Sequence, residues 1–216
     1  MRHLKRQKVP KSWPIPRKGK TFVVKPASNL ENGIPALVVL RDILKVAQTR
    51  KEVKKAIYNK TILVNTKPLQ DEKRSILLFD TITLVPSKKS YRLELSGTGK
   101  FDVKEIKESE TGTKVSKVVN KKVLRGKKVQ LNLLDGSNLI SDVNCKVNDS
   151  VVIDLKNKKV SKCLSMKEKA EVLVFAGKHA GETGKIEELD LNSKMAKVNE
   201  GKGVANVLIK QIMVTA

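Results

Sequence analysis

The glycine-rich stretch GKHAGETGK, residues 177–185, is the part of the chain whose spacing comes nearest to a catalytic loop. A nucleotide-hydrolysing phosphate loop needs G-x-x-x-x-G-K followed by Ser or Thr, and it opens a helix. Here His179 stands where the first glycine is required, and Ile186 stands where the hydroxyl residue is required. The apolar residues that follow predict a strand. The stretch is therefore interpreted as a loop between two strands, and this type of phosphoryl transfer is excluded.

Side chains for metal binding or acid–base catalysis are scarce. The chain has two cysteines, Cys145 and Cys163, and two histidines, His3 and His179, with no C-x-x-C spacing. A structural zinc site needs four such ligands at recognised spacings, so we predict no metal and no cofactor. Most carboxylates stand beside lysines, as on solvated surfaces, and no acid–base pair stands out. We therefore expect a protein that is not an enzyme and has no small-molecule substrate.

The charge of the chain points to a polyanionic partner. The 216 residues carry 45 Lys+Arg against 22 Asp+Glu, a formal net charge of +23. Such an excess repels itself until it is neutralised, and nucleic acids are the usual neutralising partners. A membrane is the weaker choice because no apolar run approaches the roughly 18 residues of a spanning helix. Aromatic residues make up 3 % of the chain, which favours recognition of RNA backbone and shape over stacking on single strands.

Residues 34–64 predict a helix, a short turn, a second helix and a strand. Pro35 suits the first helical position, where its missing N–H costs nothing. Thr49 and Glu52 form a T-x-x-E capping box that starts the second helix. The apolar residues at helical spacing on the first helix are Leu37, Leu40, Leu44 and Ala47.

The second helix is predicted to have one apolar and one basic side. Val53, Ala56 and Ile57 share the apolar side. The opposite side carries Arg50, Lys51, Lys54, Lys55 and Tyr58. A short helix with a basic face and one aromatic fits contact with phosphate, and a solvated lysine face is the alternative.

Residues 1–26 form a basic arm with nine Lys/Arg, four prolines and no acid. The prolines exclude a continuous helix. Such a segment is expected to be disordered alone and to become ordered in a groove lined by phosphates. Trp13 either docks on the protein's own core or stacks on a base, and docking is favoured.

The rest of the chain predicts strands. Residues 61–65, 76–78 and 82–85 complete an α+β unit that ends near Pro86, with Lys67-Pro68 as the turn after the first of them. The strands predicted for a central small barrel are 91–95, 100–106, 115–119, 129–133, 139–140, 150–155 and 160–164. The strands predicted for a second, smaller barrel are 171–175, 185–191, 195–198 and 204–209.

Three glycines in the last segment, Gly177, Gly181 and Gly184, lie within eight residues between two apolar strands. We predict that at least one of them has φ > 0, which only glycine adopts without strain. The glycines either close a tight turn or let the loop approach another backbone. We favour a docking loop for RNA or a neighbouring protein, in which Lys178, His179 and Lys185 supply the polar contacts.

Taken together, these segments resemble one protein family over nearly the whole chain. Residues 34–85 look like the RNA-binding module first described in ribosomal protein S-four, and EVLVFAGKHAGETGKI is similar to the KOW motif. YRLELSGTGKFDVKEI, LLDGSNLI and CKVNDSVVIDLKNKKV resemble the central domain of the small-subunit ribosomal protein S-four, e-type, of archaea and eukaryotes. The opening HLKRQKVPKSWPIPRKGK resembles the arm of that family, closer to its archaeal members.

The resemblance implies an α+β multi-domain fold. It comprises an extended basic arm (1–33), a small helix-turn-helix-strand RNA-binding module (34–86), a central all-β barrel domain (87–168) and a small SH3-like KOW barrel (169–216). Two turns depart from the family: Asn65-Thr66 replaces Asn-Gly or Asp-Gly, and Phe79-Asp80 replaces Gly-Asp.

The function that the resemblance implies is that of a structural constituent of the small ribosomal subunit. Its partners would be ribosomal RNA and neighbouring ribosomal proteins, in the cytoplasm. The alternative is a non-ribosomal RNA-binding accessory factor in RNA modification, transcription or translation. The expected RNA-binding residues, besides Trp13, Tyr58 and the loop residues above, are Arg2, Lys5, Arg6, Lys8, Lys11, Arg17, Lys18, Lys20, Arg41, Arg50, Lys51, Lys54 and Lys55. Arginines are preferred because their planar fork matches phosphate.

Overall fold

A computed structural model of the protein describes residues 3–141, 143–190, 193–199 and 203–215. Arg2, predicted to contact RNA, and Leu191, predicted to end a strand, lie outside these residues. The chain forms two units: the first comprises Met1–Leu95 with Lys100–Gly112, and the second comprises Ser96–Gly99 with Thr113–Ala216. The described structure is α+β and mostly β.

The first unit holds the described α-helices. They are α1 (Ala36–Val38), which continues as a π-helical turn over Val39–Ile43, and α2 (Arg50–Tyr58). Single 3-10 turns cover Arg6–Lys8 and Glu108–Glu110. The strands are β1 (Leu4–Lys5), β2 (Phe22–Val23), β3 (Gly33–Pro35), β4 (Ile62–Val64), β5 (Lys67–Pro68), β6 (Ser75–Leu77), β7 (Thr81–Leu84), β8 (Lys89–Leu95) and β9 (Phe101–Ile106).

The second unit is built of strands and two 3-10 turns, Arg125–Lys127 and Ile209–Gln211, in its described part. The strands are β10 (Thr113–Val123), β11 (Val129–Leu133), β12 (Asn138–Ser141), β13 (Ser150–Asp154), β14 (Lys159–Leu164), β15 (Glu171–Val174), β16 (Thr183–Asp190), β17 (Met195–Asn199), β18 (Val204–Leu208) and β19 (Ile212–Val214).

The basic arm is folded onto the core of the first unit. Within the arm, β1 and β2 pair antiparallel, and Leu4 and Trp13 are each only 2 % exposed. The indole Nε1 of Trp13 donates a 3.0 Å hydrogen bond to the carbonyl oxygen of Gly33. The prediction of an extended arm that is disordered without RNA is therefore wrong. The prolines exclude a helix, but they do not prevent burial of the large apolar side chains between them.

The first helix is shorter than predicted, and the second helix follows the prediction. Pro35 precedes α1 with an extended φ of −62° and ψ of 140°. After the π-helical turn, Lys45 adopts a left-handed φ of 54°, which ends the helix, so the predicted Ala47 lies beyond it. The capping box of α2 is complete, with Thr49 accepting from the backbone of Glu52 and Glu52 accepting from the backbone of Thr49.

The main sheet of the first unit has the order β5-β4-β7-β8-β9. Its β4–β5 turn is Asn65-Thr66, and both residues are left-handed, with φ of 52° and 65°. Lys67 and Pro68, predicted as the turn, instead form β5. The side chain of Asn65 stabilises the turn: its Nδ2 donates to Asp80 Oδ1 at 2.8 Å, and its Oδ1 accepts from the backbone N–H of Thr81 at 3.0 Å.

The predicted domain boundary at residue 86 falls inside this sheet. Pro86 lies in the turn between β7 and β8, which pair antiparallel, and β8 in turn pairs with β9. The two strands predicted to open the central domain therefore extend the sheet of the preceding module. The predicted elements change from helices and strands to strands alone near residue 86. This change did not mark a domain boundary, because a hairpin can add to the edge of an existing sheet.

The second unit contains two five-stranded antiparallel sheets, β12-β11-β10-β13-β14 and β18-β17-β16-β15-β19. Leu131 and Val151 are fully buried in the apolar cluster of the first sheet. Ile186 and Ile212 are buried in a separate cluster of the second. The strands predicted between residues 115 and 209 are present within a few residues, and β19, three residues long, was not predicted.

Buried polar groups join these two sheets. The ammonium of Lys117 donates hydrogen bonds to the carbonyl oxygens of Ile209 and Ile212, the latter at 2.8 Å. The backbone N–H of Val214 donates to the hydroxyl of Ser150 at 2.9 Å. Burial lowers the pKa of Lys117 to about 8, because a charged amine is disfavoured away from water.

Candidate nucleic-acid interface

Helix α2 presents the basic face that its sequence predicts. Val53 is buried, and Ala56 and Ile57 are half-buried, so these side chains hold the helix on the core. Tyr58 is 87 % exposed, which leaves its ring free for a ligand. The exposed side chains of the opposite face are Arg50, Lys51, Lys54, Lys55 and Tyr58.

A buried acid fixes part of this face. The Glu72 side chain is 3 % exposed and accepts a 2.8 Å hydrogen bond from Nε of Arg50. The Nη2 of Arg50 contacts the same carboxylate oxygen, and Nζ of Lys54 lies 4.0 Å from it. The hydrogen bond to Glu72 raises the pKa of Arg50. The other oxygen of Glu72 is buried without a hydrogen-bond partner among the described residues.

Sequence reasoning did not identify Glu72. It lies 22 residues from Arg50, so no helical or strand period links them. Its position is fixed by the backbone, since the carbonyl oxygen of Glu72 accepts from the N–H of Leu37 at 3.0 Å. An acid pair, Asp71-Glu72, in a strongly basic chain was the available signal, and it did not indicate a partner.

The structure brings three predicted residues together at one surface hollow. Arg50, Lys54 and Tyr58 line this hollow with Lys73 and Glu72. Three cationic groups and an exposed aromatic ring surround two carboxylates, Asp71 and Glu72, and the Arg50 guanidinium offsets the charge of Glu72. This arrangement can accept a phosphate between the lysines while the ring contacts a sugar or base.

Arg41 is held by its own neighbour. Its Nε and Nη2 each donate at 2.8 Å to the carboxylate of Asp42, and this hydrogen bonding raises the pKa of Arg41. Both donors on that edge of the guanidinium are therefore occupied in the free protein.

Two of the described arm residues predicted to bind RNA are instead engaged within the protein. Arg6 is half-buried: its Nε donates to the carbonyl oxygen of Lys20 at 2.8 Å, and its Nη1 donates to that of Pro16 at 2.7 Å. Trp13 lies in the core, which confirms the favoured docking of the indole and corrects its assignment as an RNA-binding residue. The exposed predicted cations are Lys5, Lys8, Lys11, Arg17, Lys18 and Lys20.

The glycine loop of the second unit combines tight turns with close backbone contact. Gly177 and Gly181 have φ of +96° and +91°, which confirms the prediction of positive φ. A Cβ on Gly181 would lie 1.8 Å from the carbonyl oxygen of Ser96, within the same unit. A Cβ on Gly184, in β16, would lie 2.3 Å from the carbonyl oxygen of Asn199. The bare backbone therefore serves packing inside the unit.

The polar residues of this loop differ in whether they contact other side chains or are exposed to solvent. Nδ1 of His179 lies 2.7 Å from Glu182 Oε2, a contact across the turn. Lys178 is exposed. Lys185 is exposed too and lies 3.9 Å from Glu171. Two lysines of the loop therefore lie at the surface.

Other kinds of site are not found in the described part of the chain. Its residues include no group of three or more His, Cys, Asp or Glu side chains that could hold a metal ion. Across residues 3–141, 143–190, 193–199 and 203–215, no helix has the length and apolar character needed to cross a membrane.

Comparisons with known proteins point to one family. The profile of the Ribosomal family S4e matches residues 87–160, and that of the RS4NT domain matches residues 1–28. The chain is 38 % identical to the small ribosomal subunit protein eS4 of Methanocella arvoryzae, over 87 % of this chain and 80 % of that protein. It is 39 % identical to the protein of the same name from Archaeoglobus fulgidus, over 85 % of this chain and 78 % of that protein.

A solved structure shows the same fold. The 30S ribosomal protein S4e from Thermoplasma acidophilum superposes with a TM-score of 0.74 at 22 % identity, covering 86 % of this chain and 96 % of that one. The chain belongs to the ribosomal S4e family.

Proposed function

We propose that the protein is a structural, non-catalytic constituent of the small ribosomal subunit. It binds ribosomal RNA, supports its folding and assembly for translation, and resides in the cytoplasm within the ribosome. The observation that carries the proposal is family membership over most of the chain, combined with an exposed basic face on α2. Its partners are ribosomal RNA and neighbouring ribosomal proteins.

Within this function, the parts of the chain have separate roles. The part of the first unit that contains α1 and α2 acts as an S-four-type RNA-binding module, whose phosphate contacts lie on the exposed side of α2. Residues 171–186 act as a KOW motif in a small SH3-like barrel, where Lys178 and Lys185 dock on RNA or on a neighbouring protein. The arm adds phosphate contacts through its exposed lysines and Arg17.

Copurification with ribosomes tests the function. A tagged chain expressed in an archaeal host should remain at one copy per small subunit after washing in high salt. Substoichiometric, salt-labile association would instead support the alternative, a non-ribosomal RNA-binding accessory factor. The affinity for small-subunit ribosomal RNA should fall by about three to five decades between about 50 and 200 mM salt, as expected for six to ten phosphate contacts.

The role of α2 is tested by replacing Lys51, Lys54 and Lys55 together with glutamine. All three are exposed, so the melting temperature should not fall. RNA binding should weaken, and the salt slope should decrease by about two to three units, since each lost phosphate contact contributes about 0.7 to 0.9.

A matched control removes the same charge elsewhere in the first unit. Lys88, Lys89 and Lys104 are exposed lysines on or beside β8 and β9. Their replacement with glutamine should change RNA affinity less than the α2 variant does. Equal losses for the two variants would mean that net charge, and not the α2 face, governs binding.

A further inference from the structure

The turn between β10 and β11 carries the densest positive charge of the second unit. Residues 121–128, KKVLRGKK, contain five Lys/Arg and no acid. We name residues 121–128 the basic turn. The hydrogen bond from the N–H of Leu124 to the carbonyl oxygen of Lys128, 2.8 Å long, closes it. Gly126 has a left-handed φ of +78° at its tip, and a Cβ there would meet no atom within 4 Å. The turn is therefore compact and open to solvent at its tip.

Three cations of the basic turn are exposed and form no ion pair with the described residues. Lys121 is different, because its ammonium donates to Asn144 Oδ1 at 3.1 Å and to the carbonyl oxygen of Cys145 at 3.2 Å. Lys122, Arg125 and Lys128 are exposed. In the described part of the chain, none of the three lies within ion-pair distance of a carboxylate.

Other lysines of the same unit are paired with carboxylates. Nζ of Lys114 lies 2.7 Å from Asp135, and Nζ of Lys197 lies 2.7 Å from Glu188. The basic turn differs because five like charges are concentrated within eight residues. Like charges repel one another appreciably when they lie within about one Debye length, roughly 10 Å. Such an arrangement costs stability in the free protein and becomes favourable when a polyanion neutralises it.

Protection of a sheet edge does not account for the whole cluster. Lysines on an exposed edge strand hinder pairing with other chains, and Lys122 in β10 can serve that purpose. Arg125 and Lys128 lie outside the strands, in the turn itself, where no ladder edge needs protection. Val123, the last residue of β10, is also 68 % exposed. A turn of lysines that is merely solvated does not require an exposed apolar side chain.

We propose that the basic turn is a second RNA-binding site, which contacts the phosphate backbone through Lys122, Arg125 and Lys128. Arg125 offers a planar fork for one phosphate, and the lysines offer point charges to its neighbours. Val123 packs against sugar at the same surface. The inference rests on the proposed RNA-binding function and adds a site on the second unit that is independent of α2.

The test is a triple variant of the full chain, Lys122→Gln with Arg125→Gln and Lys128→Gln. Binding to protein-free ribosomal RNA from archaeal small subunits is measured over a salt series, together with thermal unfolding. The wild type should bind with a steep salt slope. The variant should lose about two to three units of that slope and bind about 100-fold more weakly near 0.1 M salt. Its melting temperature should stay equal or rise, because repulsion is relieved.

A control variant separates a site from a general effect of charge. Lys156 and Lys158, in the turn between β13 and β14, and Lys159, the first residue of β14, are exposed and lie near Asp154. Their replacement with glutamine removes the same charge from the same unit and should reduce affinity less than tenfold. A loss equal to that of the basic-turn variant would overturn the inference.

Chemical footprinting gives a readout without mutation. Acetylation of lysines in the wild-type complex, read by mass spectrometry, should show protection of Lys122 and Lys128 by RNA. Wild-type RNA binding with no protection and no effect of the variant would refute the basic turn as a site while leaving the proposed function intact. A wild-type chain that does not bind ribosomal RNA would refute the proposed function itself. A variant that loses binding only to anionic vesicles would assign the turn to a membrane and overturn the inference.

Discussion

Replacing Trp13 with alanine is expected to destabilise the first unit strongly, although the residue lies in an arm of prolines and lysines. The indole is 2 % exposed and packs in the core with Leu37 and Ile34 among the buried residues. Removing a buried Trp or Phe side chain costs about 3 to 5 kcal/mol through lost burial and the cavity that remains. Since whole domains are stable by about 5 to 15 kcal/mol, this is a large fraction.

The hydrogen bond of the indole can be separated from its burial. Trp13→Phe keeps most of the apolar area and removes the 3.0 Å bond to the Gly33 carbonyl oxygen. Leaving that acceptor unsatisfied costs about 1 to 3 kcal/mol. Trp13→Phe should therefore fall between wild type and Trp13→Ala in urea denaturation followed by far-UV circular dichroism.

A control in the same arm is Phe22→Ala. Phe22 is 60 % exposed, so its removal should cost about 0.5 kcal/mol or less. The chain has one tryptophan, and its fluorescence in the free wild type should be that of a buried indole and shift on unfolding. Solvent-exposed emission from the free protein, together with an unchanged midpoint for Trp13→Ala, would refute docking of the arm.

Other predictions follow from single features of the structure. Burial lowers the pKa of Lys117 to about 8, so as pH rises the folded state loses this proton before the unfolded state does. The unfolding free energy should therefore rise by about 3 kcal/mol between about pH 8 and 10.5, relative to that of Lys117→Met. Parallel curves of unfolding free energy against pH for the two proteins would contradict this. Thr66→Gly should stabilise by about 0.5 to 1 kcal/mol, since Thr66 is an exposed β-branched residue with φ of 65°, and thermal unfolding beside Thr66→Ala measures it. Arg50→Lys should lower stability by about 1 to 2 kcal/mol through weaker bonding to buried Glu72 with little change in RNA affinity; a large loss of affinity at unchanged stability would contradict that expectation.

Features set by neighbouring residues were predicted from the sequence. The start of α2 was predicted because Thr49 and Glu52 act within one turn, and its two faces were predicted because spacing fixes them. The strands of the second unit followed from short apolar runs between turn residues. The glycine content alone predicted that at least one of the three loop glycines has φ > 0, and Gly177 and Gly181 do.

Features that depend on distant residues were not predicted. Docking of Trp13 on the core was favoured, but its hydrogen-bond partner, the Gly33 carbonyl oxygen 20 residues away, was not identified. The pairing of β7 with β8 removes the boundary expected at residue 86. The close approach of Gly181 to Ser96 joins segments 85 residues apart in numbering, and local spacing gives no sign of such a contact.

The use of arginine shows why site prediction from residue type alone has a physical limit. Arginines were preferred for RNA because a planar fork matches phosphate, yet the same fork suits acceptors inside the protein. Arg6 bonds to two backbone carbonyl oxygens, Arg41 to Asp42 and Arg50 to Glu72. Each would have to give up an existing bond to hold a phosphate with the same donors. The exposed lysines need no such exchange, and Arg125 in the basic turn combines a fork with exposure to solvent. The fold alone determines which donors are unoccupied. A ranking of the expected RNA contacts by unoccupied donors therefore differs from a ranking by residue type.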